Sequence, residues 1–234
     1  MHDPAVLRAR LAGVRERIAR AAARVGRDPS QIRLIVVSKT FGPEAVRAAA
    51  AEGQIDFGEN KLQEAQSKRA ATRELPLVWH LIGHLQSNKA KKAATEFDYI
   101  HSIDSPELVR TIDAAASTAG RRVVLLAQVD LAGEVTKFGA REKELVPIFQ
   151  AASDCRSVTM AGLMIIPPAV DEPEDARSWF QKLRDVRDRL VAAGIARSQL
   201  AELSMGMSHD FEVAVEEGAT MVRVGTAIFG ARER

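Results

Sequence analysis

The chain has 234 residues, of which 46% are hydrophobic and 27% charged, and its formal net charge is +2. This composition is typical of a globular protein, and no apolar run approaches the roughly 20 residues that cross a bilayer. Because the charge is weak and no basic stripe alternates with aromatic residues, a nucleic-acid-binding function is not expected.

Cysteine usage limits the chemistry further. Cys155 is the only cysteine in the sequence, so neither an internal disulfide nor a cysteine-based metal site is expected. A reducing compartment fits this usage, and we expect the protein in the cytoplasm.

The first 26 residues carry six arginines and could be mistaken for a transit peptide. Apolar residues nevertheless recur at helical spacing along one face: Leu7, Leu11, Val14, Ile18, Ala22 and Val25. The pattern therefore favours a permanent amphipathic helix over residues 1–26 rather than a cleaved leader.

Residues 32–39, IRLIVVSK, form a short apolar run that is typical of a strand buried on both faces. The run ends in Lys39. Lysine is rarely buried, and desolvation disfavours its charged form, so an amine at the mouth of such a strand is a candidate nucleophile. The alternative is a strand-terminal lysine that extends into water.

Strands and helices alternate through the rest of the chain. Further strands are predicted at 55–58, 77–82, 99–103, 123–129, 158–166, 200–204 and 221–224. Helices are predicted at 43–51, 61–73, 87–96, 106–119, 142–152, 173–193 and 211–217. Eight such units with short connections predict a parallel sheet, and this length favours a closed (β/α)8 barrel over an open doubly wound sheet. We expect a single domain over residues 1–234, with the barrel at 32–230.

In such a barrel, phosphate is commonly bound by the loops after strands seven and eight. These loops contain SMGMS at 204–208 and GT at 225–226, with glycines and hydroxyls that suit a phosphate. Each loop alone is equally well explained as a strand end that turns on a glycine. Lys39 lies on the strand that adjoins strand eight when the barrel closes, and this combination favours a phosphate site.

Arg223 lies two residues before Gly225, so on an extended strand the two point to the same side, about 6–7 Å apart. A lysine, a phosphate cup and an arginine at one barrel mouth suggest a site for pyridoxal phosphate (PLP). Such a site needs an imine to the lysine, an anchored phosphate and a partner for the pyridine nitrogen.

Six stretches carry a resemblance to a known family: VSKT at 37–40, FGEN at 57–60, WHLIGHLQSNK at 79–89, GLM at 162–164, SMGMS at 204–208 and VRVGTAIFG at 222–230. They closely resemble the pyridoxal phosphate homeostasis proteins, which are single barrels similar to the N-terminal domain of alanine racemase.

The resemblance implies a role for each matching residue. Lys39 would be the Schiff-base residue, and Arg223 would face the pyridine nitrogen. The phosphate would be held by Ser208, Gly225 and Thr226. Further positions would line the mouth of the barrel: Asn60, His80, Ser204 and Met205.

Two other positions bear on the resemblance. Lys137 matches a lysine that is common in the family, although a solvated loop lysine is the simpler interpretation. Phe41 stands where many members have a lysine, which puts in doubt any role that needs a second amine there.

Two short patterns resemble other sites. His80 and His84 have the spacing of a helical zinc pair, but their stretch is predicted as a strand and position 81 is not Glu, so no metal is expected. Ser208, His209 and Asp210 are adjacent in sequence, and neighbours cannot form a hydrolytic relay. A helix cap or a phosphate ligand is the better interpretation of Ser208.

Two classes of function remain. An amino-acid racemase-like enzyme needs proton-transfer groups on both faces of the cofactor ring. In alanine racemase a tyrosine from another domain serves the second face, across a dimer. The chain ends four residues after Gly230, so we expect no such domain, and its only tyrosine, Tyr99, begins a predicted strand at the opposite end of the barrel.

The carrier interpretation needs only a reversible bond to PLP and a hold on the phosphate. The sequence therefore favours a PLP-binding protein of intracellular PLP homeostasis without efficient catalysis. We expect a monomer that does not bind nucleic acid or membranes. Apo-forms of PLP-dependent enzymes are the candidate recipients of the cofactor.

Overall fold

Eight parallel strands close into a barrel in sequence order, β1 to β8, in the computed structural model, which describes residues 4–133 and 138–230. Lys137 therefore lies outside the described residues. Helices alternate with the strands, and a further helix precedes the barrel. The predicted (β/α)8 fold with an N-terminal helix is confirmed.

The strands are β1 Arg33–Val37, β2 Asp56–Glu59, β3 Val78–Leu81, β4 Tyr99–Ile103, β5 Val123–Gln128, β6 Val158–Met164, β7 Glu202–Ser204 and β8 Met221–Val224. The α-helices are α1 Pro4–Arg24, α2 Pro43–Ala51, α3 Leu62–Ala71, α4 Ala90–Glu96, α5 Pro106–Thr118, α6 Glu142–Ser153, α7 Arg177–Ala192, α8 Phe211–Glu216 and α9 Thr226–Phe229. Short 3-10 helices lie at Pro29–Gln31, Ser87–Lys89, Pro173–Ala176 and Arg197–Leu200.

The first strand is shorter than predicted. It ends at Val37, and Lys39 lies in a turn beyond it. The turn forms because the Phe41 N–H donates to the Ser38 carbonyl at 3.0 Å, and Thr40 takes up a left-handed backbone conformation with φ of 69°. The predicted helices at 87–96 and 173–193 also differ, since each begins as a 3-10 turn before the α-helix starts.

The barrel wall separates two cores, because side chains alternate between the faces of each strand. The interior apolar cluster is small: Ile35, Leu126, Met164 and Met221, with Tyr99 packed against it. The larger cluster, between the sheet and the helices, takes most of the buried hydrophobic residues. The interior therefore has room for polar side chains.

Helix α1 packs on α8, α9 and α2 through its apolar stripe. Leu7, Leu11, Val14 and Ile18 are buried, as the spacing predicts, whereas Val25 lies beyond the helix and is 44% exposed. Burying each large aliphatic side chain contributes roughly 1.5–3 kcal/mol, more than the half-exposed ion pairs of this helix. None of the described helices combines the length and apolarity needed to cross a bilayer.

Two glycines of contrasting surroundings test this packing. A Cβ on Gly162 in β6 would lie 2.6 Å from the carbonyl carbon of Glu202 in β7, so the two strands pair closely only because residue 162 is a glycine. A Cβ on Gly13 in α1 would meet nothing within 4 Å.

We therefore expect Gly162→Ala to destabilise the protein by about 3 kcal/mol or more, because the contact is with backbone that cannot move aside. Gly13→Ala is the matched control and should stabilise it by roughly 0.5–1 kcal/mol, since alanine loses less entropy in a helix. Urea unfolding measures both. An unchanged midpoint for Gly162→Ala would contradict the tight pairing of β6 with β7.

Candidate functional site

Closure of the barrel brings its first and last strands together at the predicted site. Strand β1 pairs with β8 in parallel, and Val36 lies opposite Val224. One residue further on, a Cβ on Gly225 would come within 3.1 Å of the Val37 carbonyl oxygen. The loop after β8 is therefore packed against the end of β1, two residues before Lys39.

The loops after β7 and β8 join into one cup through Ser208. Its hydroxyl oxygen accepts hydrogen bonds from the Gly225 N–H at 3.1 Å and the Ala227 N–H at 3.3 Å. Ser208 therefore satisfies N–H groups at the first turn of α9, where an anion is also favoured. Gly206 makes the tight turn possible, because its φ is +89° and a Cβ there would lie 2.9 Å from the Phe211 Cα.

Thr226 completes the cup. It is the first residue of α9 and is exposed, and no hydrogen bond among the described residues uses its hydroxyl. The structure thus brings Ser208, Gly225 and Thr226 together, with backbone N–H groups and hydroxyls on one surface beside the Lys39 turn.

The Lys39 turn is anchored from behind by a buried ion pair. Lys68 of α3 is 4% exposed, and its ammonium donates to the Ser38 carbonyl at 2.6 Å and to Glu59 Oε1 at 2.5 Å. The Ser38 hydroxyl also donates to Glu59 Oε1, at 2.6 Å. On the outer side, the Thr40 N–H donates to the Glu64 carboxylate at 2.9 Å. Both neighbours of Lys39 are therefore held in place.

Glu59 is the strained member of this group. It is fully buried, and desolvation raises the pKa of its carboxyl, although its bonds to Lys68 and Ser38 act in the opposite direction. Its second oxygen, Oε2, has no hydrogen-bond partner among the described residues. Neither Glu59 nor Lys68 was predicted from the sequence. Glu59 is the last residue of β2 and Lys68 lies on α3, and charged residues at a strand end or on a helix ordinarily face water.

Arg223 points into the barrel interior and is 3% exposed. It donates to the Ser204 hydroxyl at 2.6 Å and to the Ile165 carbonyl at 2.8 Å, which uses two of its five N–H groups. Burial lowers the pKa of Arg223 to about 10, opposed by the charge of Asp210. The side chain is still a cation at neutral pH, with N–H groups left for a ligand.

The barrel interior holds further polar groups. Beyond Arg223, Ser204, His101, His80 and Asp56 follow in hydrogen-bond contact. His101 and Asp56 were not predicted as site residues. The available signal was a polar residue at an inward position of an apolar strand, which is visible only once the register of each strand is known.

The residues that the resemblance places at the mouth differ in their surroundings: His80 and Met205 are buried, and Asn60 is exposed at the end of β2. His80 is fully buried within the barrel, with both ring nitrogens hydrogen-bonded. The side chain of Met205 is fully buried in the outer core. Asn60 follows β2 and is exposed, and a Cβ on Gly83 would lie 2.8 Å from its Cα.

Phe41 occupies the position at which the resemblance leads us to expect a lysine. Its ring lies 4.7 Å from the ring of Phe229 in α9, centroid to centroid. At this position the chain thus has an apolar contact between the Lys39 turn and the helix of the phosphate cup.

The two resembling patterns do not assemble into sites. The His84 ring stacks on Phe138, away from His80, and no group of three or more metal-ligating residues occurs in the parts of the chain that the structure describes. His209 donates to the Asp171 carbonyl, and Asp210 accepts from the Met207 N–H. Ser208 therefore has neither residue as a relay partner.

Comparison with known proteins agrees with the fold. The family model of the alanine racemase N-terminal domain matches residues 10–233, which defines the class of barrel. A pyridoxal phosphate homeostasis protein of Aquifex aeolicus is 42% identical over 224 residues, which are 96% of this chain and 97% of that protein. The chain therefore belongs to the pyridoxal phosphate homeostasis protein family.

Two solved structures mark the range of the likeness. PipY of Synechococcus elongatus, solved with PLP bound, matches with a TM-score of 0.84 and 40% identity, covering 96% of this chain and 100% of that one. Alanine racemase of Clostridium difficile matches with a TM-score of 0.74 and 15% identity, covering 97% of this chain and 57% of that one. The second likeness is one of fold alone.

The buried pair behind Lys39 can be tested by removing its cation. We expect Lys68→Met to cost about 3–5 kcal/mol at neutral pH, because it leaves the Glu59 carboxylate buried and unpaired. Lys61→Met is the control, since Lys61 forms an exposed pair with Glu64 at 3.8 Å, and should cost less than about 1 kcal/mol.

The pH dependence of this cost has a definite sign. A carboxyl with a higher pKa in the folded than in the unfolded state stabilises the fold at low pH and loses that contribution as the pH rises through the folded pKa. Because the pKa of Glu59 is raised, the deficit of Lys68→Met relative to wild type should shrink on acidification. Urea titrations at several pH values measure it, and a deficit independent of pH would contradict the proposed burial of an unpaired charge.

Proposed function

We propose that the protein holds PLP by a covalent bond to Lys39 and takes part in PLP homeostasis by storing and supplying the cofactor. The observation that carries this proposal is the contact between the end of β1 and the loop after β8, which sets an amine beside a cup of N–H groups and hydroxyls. The family membership and the PLP-bound relative support it.

The residues present suit each part of PLP. The cup offers the hydroxyls of Ser208 and Thr226 at the start of α9, where the Ser208 oxygen already accepts from the Gly225 N–H and where a phosphate would be favoured. Arg223 has N–H groups that its bonds to Ser204 and Ile165 do not use, and these would serve the ring nitrogen. Lys39 is half-buried, and none of the described carboxylates forms an ion pair with its amine.

When bound, PLP supplies an aldehyde carbon that joins an amine with loss of one water, and a ring that withdraws electrons strongly only when its nitrogen is protonated. Arg223 has only donors and keeps its charge at neutral pH, so it cannot accept a hydrogen bond from a protonated ring nitrogen. The arginine therefore favours storage over turnover.

Proton transfer on the second face of the ring is also unsupported. Tyr99, the only tyrosine of the sequence, begins β4 and stacks on His80 at 4.4 Å, with the Arg33 guanidinium 5.0 Å from its ring. Since Arg33 begins β1, this group lies at the end of the barrel opposite Lys39. A racemase-like function has no corresponding tyrosine at the mouth.

We further propose that the chain acts as one domain, as a monomer, in the cytoplasm, and that apo-forms of PLP-dependent enzymes are recipients. The mouth of the barrel carries exposed apolar residues, Phe138, Ile166 and Met207, from three of its loops. Exposed apolar side chains that lie close together often mark a protein-binding surface, and this supports direct contact with a recipient enzyme.

Phosphate anchoring has its own test. A hydrogen bond to a charged group is worth roughly 1.5–3 kcal/mol, which is about ten- to a hundredfold in affinity. Thr226→Val should therefore weaken PLP by this factor and leave pyridoxal, which has no phosphate, nearly unchanged. Thr118→Val, whose hydroxyl bonds within α5, is the control. Equal losses for PLP and pyridoxal would remove Thr226 from the phosphate site.

Storage and turnover give opposite results in a paired experiment. The PLP-loaded protein is incubated with L-amino acids in deuterated water, and separately with an apo-enzyme that needs PLP. We expect the apo-enzyme to become active, and deuterium at the amino-acid Cα to stay at the level that free PLP produces. Catalytic deuterium incorporation with inversion would instead support a racemase.

A further inference from the structure

A line of five polar side chains crosses the barrel interior from Arg223 to the opposite end. Each contact is within hydrogen-bond distance: Arg223 Nη1 to Ser204 Oγ at 2.6 Å, Ser204 Oγ to His101 Nδ1 at 2.9 Å, His101 Nε2 to His80 Nδ1 at 3.0 Å, and His80 Nε2 to Asp56 Oδ1 at 2.9 Å. We call these five residues the interior chain. They come from five strands, β8, β7, β4, β3 and β2.

The interior chain is buried along its length, and only its Asp56 end borders a cavity. Ser204, His80 and His101 are fully buried, and Arg223 and Asp56 are 3% and 8% exposed. Burial lowers the pKa of both histidines, and that of His101 falls well below its ordinary value mainly through desolvation, with His80 and the charge of Arg223 acting in the same direction. Both rings are therefore neutral at neutral pH, and each has one N–H and one acceptor nitrogen.

With Asp56 ionised, only one order of hydrogen atoms satisfies all four contacts. The carboxylate only accepts, so His80 must carry its proton on Nε2 and accept at Nδ1. His101 must then donate from Nε2 and accept at Nδ1. The Ser204 hydroxyl donates to that nitrogen, and its oxygen accepts from Arg223. Every hydrogen bond points from the arginine toward the aspartate.

The Asp56 end of the interior chain lies at the end of the barrel opposite Lys39, which we call the lower end. It has a counter-charge of its own and borders a cavity. Arg33 Nη1 lies 3.5 Å from Asp56 Oδ1, and both residues line a cavity of about 360 Å³ together with Arg15 and Gln54. Arg223 has no ion pair with a carboxylate in the described structure. The negative charge nearest to it along hydrogen bonds is thus Asp56, at the far end of the chain.

We infer that Asp56, His80 and His101 are positioning residues for Arg223: they fix the orientation of its guanidinium at the ring end of the PLP site from the opposite end of the barrel. This inference rests on the proposed function. The arrangement keeps a cation at the ring nitrogen without a carboxylate beside that nitrogen. A carboxylate there would favour the protonated, electron-withdrawing ring.

The first test reads the hydrogen order in the protein without PLP. Long-range ¹H–¹⁵N NMR of ¹⁵N-histidine protein distinguishes the two neutral tautomers, and His80→Gln and His101→Gln assign the signals. Both histidines are expected to be neutral, with the proton on Nε2. A proton on Nδ1 of either ring, or a cationic ring at neutral pH, would contradict the proposed order of hydrogen bonds in the interior chain.

The second test asks whether the chain acts through the ring nitrogen. Affinity is measured for PLP and for the analogue in which CH replaces that nitrogen. We expect wild type to prefer PLP about tenfold, the value of one charged hydrogen bond, and Asp56→Asn and Arg223→Gln each to abolish this preference. Their double variant should lose no more than either alone.

Glu202→Gln is the matched control, because it also removes one carboxylate from the lower end of the barrel. Glu202 begins β7 and accepts from the Thr220 hydroxyl, outside the interior chain. It should keep the preference for PLP. If Asp56→Asn does not fold, His101→Gln replaces it, since it interrupts the chain without removing a charge.

The outcomes separate the inference from the proposed function. Covalent binding of PLP by wild type, with a preference that survives in Asp56→Asn or is lost equally in Glu202→Gln, would overturn the inference and leave the function standing. Failure of wild type to bind PLP covalently would overturn the function, while the tautomers would still report on the chain.

Discussion

The pairing of β1 with β8 is the contact on which the site depends. These strands begin and end the barrel, and only their parallel register sets Val37 beside Gly225. The cup is formed by Ser208, Gly225 and Thr226. Even Ser208, the nearest of them in sequence, is 169 residues from Lys39. Closure of the sheet therefore assembles the site, and the glycine at 225 is what allows the two segments to touch.

The outer core supplies most of the hydrophobic stabilisation of the fold. Most of the apolar burial lies between the barrel wall and the helices, where large side chains each contribute roughly 1.5–3 kcal/mol. The barrel interior therefore contributes less to the hydrophobic stabilisation, and it accommodates a buried arginine, two histidines and an aspartate. A second buried charge pair, Lys68 with Glu59, lies outside the wall and holds the backbone on which Lys39 sits.

The Lys68–Glu59 pair and the interior chain contact opposite ends of the proposed site. The Lys68–Glu59 pair acts on the backbone at Ser38, so it fixes where the amine stands. The interior chain acts on Arg223, at the ring end of the same site. In the proposed site, both groups would act on PLP indirectly, each through a residue proposed to contact it. The apolar packing of Phe41 on Phe229 joins the two halves of the site from a third direction.

The sequence was sufficient for the barrel, since eight buried strands alternate with helices. It also pointed to the loops after β7 and β8, which the structure joins through Ser208. It was less informative where one residue decides the direction of a side chain. Ile32–Lys39 looks like one strand, yet the turn at Thr40 takes Lys39 out of it. His80 belongs to a motif that suggests the mouth, but the strand register turns its side chain into the interior.

Residues that act only through neighbours were missed for a related reason. Lys68 carries an ordinary helix charge in the sequence, and only the packing of α3 against β2 brings it to Glu59 and the Ser38 carbonyl, where it is buried. Asp56 and His101 are separated by 45 positions, and no local pattern connects them. Partners of this kind follow from tertiary structure and not from spacing along the chain.

Covalent attachment to Lys39 is the central claim, and reduction with borohydride followed by peptide mapping tests it most directly. The protein is loaded with one equivalent of PLP, reduced and digested, and Lys39→Ala and Lys61→Ala are treated in parallel. The account predicts the pyridoxyl group on Lys39 in wild type and in Lys61→Ala, with loss of the yellow stoichiometric complex in Lys39→Ala. A pyridoxyl group on other lysines alone, or an unchanged yellow complex in Lys39→Ala, would contradict it.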